Sequence, residues 1–168
     1  ATGPTGNHPA LSLTGHTPSG SPVCRNAEVS AQFTNQLASF SVLPFAINCG
    51  SATCPAGGAF IRNNQVVYAF KNKDDLWPAN TTITIQLQTG VKDIYGQTWL
   101  ASGAGNERWS FTTTDSLCKI GYVTVVPHPY TFTRANVTNI FNAIAYGADG
   151  TPITGVNYDW PANSSSAI

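Results

Sequence analysis

The sequence predicts an all-β sandwich, and three observations predict it. Short stretches alternate apolar and polar residues, no stretch carries a capped helical pattern, and Gly, Pro and Asn punctuate the chain at short intervals. From Glu28 to Phe33, the residues Val29, Ala31 and Phe33 alternate with Glu28, Ser30 and Gln32, the pattern of a strand with one buried face. Phe60 to Arg62 and Gln65 to Phe70 flank Asn63-Asn64, and Asn tolerates the positive φ of a tight hairpin. Thr82 to Leu87 places Ile83, Ile85 and Leu87 on one face, and Arg108 to Thr113 turns Trp109 and Phe111 inward. Between these two strands, Asp93 can accept backbone N–H bonds and Gly96 can adopt left-handed geometry, which makes 90–96 a tight turn.

After Cys118 the strand pattern begins again. Tyr122 to Val126 is a strand ending at Pro127, Val137 to Ala145 alternates Phe141, Ala143 and Ala145 with polar neighbours, and Gly147-Ala148-Asp149-Gly150 is a turn. Val156, Tyr158 and Trp160 alternate once more. The expected organisation is a sandwich over 1–118 with an N-terminal extension and a partial second unit over 119–168, about half of what such a fold needs.

Composition limits function. Hydrophobic residues make up 42% of the 168 and charged ones 10%, against about 25% charged in an average soluble domain. The surface is therefore built from Thr, Ser, Asn, Gln and Gly. Eight basic residues balance eight acidic ones, with no basic run, which argues against nucleic acid and anionic membranes as partners. No stretch has the roughly 18–20 apolar residues of a membrane span, so direct insertion is not expected. The sequence starts at Ala1 and contains no Met, so it reads as a processed product or a piece of a longer chain, with targeting signals outside it.

Cys24, Cys49, Cys54 and Cys118 form an even set with no His at zinc-ligand spacing. This favours disulfides and an oxidising compartment over metal, and leaves three pairings open.

No catalytic site, metal site or cofactor is expected. His8, His16 and His128 lie in Pro- and Gly-rich segments and read as solvent-exposed loop residues. Glu28 and Glu107, the only glutamates, fall at positions assigned to solvent, without the cleft that paired carboxylates need. There is no nucleophile elbow and no phosphate loop. Asp74, Asp75 and Asp149 suit turn and capping duties better than calcium. Trp109 and Trp160 read as core, while Trp77 and Trp99, near loops, are candidates for stacking on sugars. Sequons begin at Asn80, Asn136 and Asn163; their number is what this composition gives by chance, and Asn80 and Asn163 sit where a glycan would be exposed.

Several of these segments resemble a known family. Thr17-Pro18-Ser19-Gly20 precedes the strand Val29-Ser30-Ala31-Gln32-Phe33. Leu76-Trp77-Pro78-Ala79-Asn80-Thr81-Thr82 leads into Ile83-Thr84-Ile85, Val91-Lys92-Asp93-Ile94-Tyr95-Gly96-Gln97 follows, and Trp109-Ser110-Phe111-Thr112-Thr113 closes the set. With these features the stretch from about Ala10 to Thr114 resembles the bacterial Ig-like domains of S-layer and large surface proteins. Residues from about Tyr122 to Ile168 resemble the start of a second bacterial Ig-like type, through Ala143 to Gly150, Pro152-Ile153 and Val156 to Trp160. The resemblance implies an Ig-like antiparallel sandwich plus a partial second Ig-like unit. In such a sandwich the start of the second strand and the end of the last share one end, which implies a Cys24–Cys118 bridge and a local Cys49–Cys54 bridge. Cysteines are a departure from the family pattern. Closing so long a loop is worth about 3–5 kcal/mol in chain entropy.

The functional expectation is a non-catalytic extracellular structural or adhesive module of a surface protein or filament. Its partners would be other copies of itself or neighbouring Ig-like domains. The alternative is a carbohydrate-binding sandwich, with glycans as partners. The partial unit would present an open apolar face of Phe141, Val156, Tyr158 and Trp160, completed either by strands of a neighbouring copy or by further chain.

Overall fold

The computed structural model describes residues 8–72, 74–99, 107–126, 131, 140–154, 156 and 158. Among these, all regular structure is extended. The strands are β1 (Leu13–Thr17), β2 (Ser30–Phe33), β3 (Leu37–Phe40), β4 (Phe45–Asn48), β5 (Gly57–Arg62), β6 (Gln65–Phe70), β7 (Thr82–Leu87), β8 (Val91–Asp93), β9 (Arg108–Thr112), β10 (Ile120–Val126), β11 (Asn142–Gly147) and β12 (Pro152–Ile153).

They form four antiparallel sheets, in the orders β1-β2-β6-β5, β4-β7-β9, β3-β8 and β10-β11-β12. The expected β5–β6 hairpin is present, with Asn63 at a φ of 56° in its turn. The first two sheets face each other across a shared core. Val29, Ala31, Phe33, Val66 and Tyr68 come from one side, Phe45, Ile83, Ile85, Leu87 and Phe111 from the other. Leu37 and Val91 of the β3–β8 ribbon close one flank. Cross-strand hydroxyl pairs run along the outside of β7–β9, Thr82 to Thr112 at 3.1 Å and Thr84 to Ser110 at 2.9 Å.

Register defines two poles. Leu13 lies opposite Phe33 at the near pole, and Thr17 opposite Ser30 at the far pole. The Asn63-Asn64 turn belongs to the near pole, because Gln65 pairs with Gln32. The far pole is closed by a parallel bridge between Val23 and Thr113. Cys24 and Cys118 are joined there, with Cα atoms 5.3 Å apart, and Cys49–Cys54 forms the second disulfide.

Several expectations change. Trp77 and Trp99 are 1% and 7% exposed, so neither offers a ring face to a sugar. Trp77 leaves a loop but enters the core, where its ring meets Tyr68, Phe70 and Phe111. Its indole N–H donates to the Ala27 carbonyl at 2.9 Å, which satisfies the one polar atom such burial would otherwise strand. Trp99 meets Phe33 edge to face. His16 is part of β1, half-buried and stacked on Trp109 at 4.5 Å. Glu28 and Glu107 are buried too. The alternation rule assigns Glu28 outward correctly, but the C-terminal sheet covers that side. Among the described residues after Gly150 the only strand is the two-residue β12, and β11 starts at Asn142.

Replacing Trp77 by Ala removes ring contacts to both sheets and leaves a cavity, so Trp77→Ala is expected to cost about 3–5 kcal/mol. Urea unfolding should show a lower midpoint at unchanged slope; a loss under about 1 kcal/mol would contradict the core placement.

Candidate functional site

With no convergent catalytic constellation among the sequence-predicted residues, the positions that matter are those where the chain arrives and leaves. At the near pole the turn after β8 acts as a clamp. Asp93 is buried, and its Oδ1 accepts the backbone N–H groups of Tyr95 at 3.0 Å and Gln97 at 2.8 Å. Gly96 supplies the left-handed residue at φ +84°. Oδ2 accepts from the Asn35 side chain at 2.8 Å, so both carboxylate oxygens are satisfied without water. The same Asn35 amide donates to the Pro9 carbonyl at 2.9 Å, and Gln97 Nε2 adds a second bond to it at 3.0 Å. Leu11 N–H donates to Gln97 Oε1 at 3.2 Å, Thr34 Oγ1 donates to the Ala10 carbonyl, and His8 stacks on Tyr95. The incoming segment is thus held across the pole by side chains of the sandwich.

At the far pole a latch holds the outgoing segment. Asn26 Oδ1 accepts the Cys118 N–H at 2.7 Å, and its Nδ2 donates to the Cys118 carbonyl at 3.2 Å. Arg25 N–H donates to the Ser116 carbonyl, and Cys24 carries the covalent tie. The C-terminal sheet is then attached through backbone. Ile153 bridges Ala27, Glu28 N–H donates to the Pro152 carbonyl at 2.8 Å, and Thr154 N–H donates to the Asn26 carbonyl at 2.9 Å.

Under this attachment lies a buried ion pair. Arg62 reaches Glu28 with two nitrogens, at 3.0 and 2.6 Å, and the Gln65 amide oxygen at 2.9 and 3.2 Å. Such a fork is the geometry in which a guanidinium satisfies a buried carboxylate. A cleft of about 160 Å³ above the pair is lined by Phe60, Val67, Ala143, Ile153, Val156 and Tyr158. Val156 and Tyr158 are therefore half-buried against the first sandwich, which corrects the expectation that they form an open face. Burial pushes the Tyr158 phenol above its usual value; a hydrogen bond with the Ala145 backbone works against this, and the Glu28 charge adds to it.

The remaining expectations divide. Phe141 is more than one-third exposed; Trp160, Asn136, Asn163 and His128 lie outside the described residues. Asn80 is exposed in a turn at φ +49° before β7, with its backbone N–H on the Thr114 carbonyl. Asp75 and Asp149 serve turns, bonding Asn72 and Thr151. Sequence reasoning missed Asn26, Asn35 and Arg62. Arg62 carried one available signal: a charged residue paired by hairpin register with Gln65, on a chain with few charges.

A family model described as Bacterial Ig-like domain matches residues 8–113. No curated protein matches the chain.

Arg62→Ala leaves Glu28 buried without its partner and is expected to cost about 3–5 kcal/mol, whereas Glu28→Gln combined with Arg62→Met should cost less. Denaturant unfolding of the three proteins checks this, and a single-variant loss near zero would mean that the pair is solvated. A raised phenol value also fixes the sign of a pH effect. Above the ordinary value of about 10 the unfolded phenol loses its proton first, so stability falls as pH rises. Comparing unfolding midpoints from pH 8 to 11.5 should show a steeper fall in the native chain than in Tyr158→Phe.

Proposed function

The chain belongs to the bacterial Ig-like domain family through residues 8–113, and on that premise we propose that it is an extracellular structural or adhesive module, a spacer in a surface protein or filament. Modules of this family are generally non-catalytic and common on surface proteins. The observation that carries the reading is polar attachment: the chain arrives at one pole and leaves at the other, and buried or bridged side chains hold it at both. A free-standing binding domain has no need to fix the direction of its neighbours. A spacer does, because inter-module angles set the reach of an array.

Assembly follows from the same reading. The strand β10 exposes Ile120, Tyr122 and Val123, and Val123 to Val126 line an open groove of about 550 Å³. Its described strand partner is β11 alone. A strand from a neighbouring copy of this chain, added along β10, would cover these side chains and supply main-chain hydrogen bonds.

Two measurements test the proposal. Labelling of intact producing cells with an antibody to the chain should succeed without lysis; signal only after lysis would overturn the extracellular placement. Light scattering of the purified chain should rise with concentration and be suppressed by Val123→Lys, while a monomer at all concentrations would overturn strand addition.

A further inference from the structure

We propose that the Cys24–Cys118 bridge is a tensile bypass: load travelling along the chain crosses between the two sulfurs and leaves residues 25–117 outside the stretched path. The inference rests on the reading of the chain as a spacer, since only a link in an array is pulled at both ends. The geometry is simple. The chain reaches the sandwich at the near pole, runs along it once as β1, and arrives at Cys24 at the far pole. Cys118, where the chain departs, lies at the same pole with its Cα 5.3 Å away. Every strand from β2 to β9 lies between the two cysteines in sequence.

Without the bridge, tension would pass through β1 and β9 and would fall on the closing pair Val23–Thr113, a parallel pair pulled from opposite ends and held only by its hydrogen bonds. With it, β1 is loaded along its own axis. Leu13 is drawn towards the near pole while Cys24 is held at the far one, so the β1–β2 hydrogen bonds share the load in shear. The Asn26 latch on Cys118 keeps the two bridge halves in place and limits the bending that the disulfide must bear. Arg25 N–H on the Ser116 carbonyl adds to this.

The bypass has a length signature. The bridge closes a sequence separation of 94 residues, which, fully extended, would release about 310–340 Å. The loaded segment between Leu13 and Cys24 can extend to no more than about 40 Å in all.

The test is to hold the oxidised full chain by its two ends in optical tweezers and record extension steps. In non-reducing buffer, only short steps are expected, from the C-terminal sheet and the segment before Cys24. Adding reductant to the same tethered molecules should bring a step of about 310–340 Å. The double variant Cys24→Ala, Cys118→Ala should show a long step on the first pull. If it does not fold, reduction of the tethered native molecule still decides. A long step in oxidised molecules would overturn the proposal. So would reduced molecules that withstand the same force as oxidised ones, since the core and not the bridge would then carry the load. Cell-surface labelling fails or succeeds separately from this measurement, so the loss of one reading leaves the other legible.

Discussion

One indole holds the two sheets to a common interior. Trp77 belongs to no strand, yet its ring lies against Tyr68 and Phe70 of one sheet and Phe111 of the other. Its N–H is fixed by Ala27, its backbone N–H by the Arg25 carbonyl, and its own carbonyl by Arg25 Nε. These bonds tie the segment 25–27 to the core from below. That same segment receives the latch on Cys118 and the attachment of β12. Packing inside the sandwich and direction outside it are therefore set at one place.

Much of the fold was legible because a strand with one wet face writes its period into the sequence. The strand over Thr82 to Leu87 and the hairpin at Asn63 are of this kind. The short strands β1, β3, β4 and β8 were not legible. They are three to five residues long, too short for a period of two to stand out, and their pairing is non-local. Glu28 shows a different limit. Its outward orientation could be read, but burial there comes from chain more than a hundred residues later, and alternation within one strand carries no record of that. His16 and Trp77 were misplaced by different signs: Pro- and Gly-rich surroundings marked His16 as a loop residue and a nearby loop marked Trp77 as a surface ring, whereas the backbone brings both rings inward.

The two poles were half legible. Asp93 and Gly96 announce a tight turn, and the disulfide pairing followed from the family topology. What the turn is for could not be read, because Asn35 and Pro9 come to it from distant positions. Asn26 is similar: an amide beside a cysteine has no distinctive signature until Cys118 is next to it. Polar side chains that bond backbone at long range are the least visible class in a single sequence, and here they orient the neighbours of the sandwich.

The outer face of β7–β9 bears hydroxyl pairs where many sheets place ions. Neutral hydroxyls keep the same protonation from acid to mild alkali, and a Debye cloud has little to screen between them. A sheet finished in this way keeps its cross-strand ties in brine, in dilute water and in acid alike.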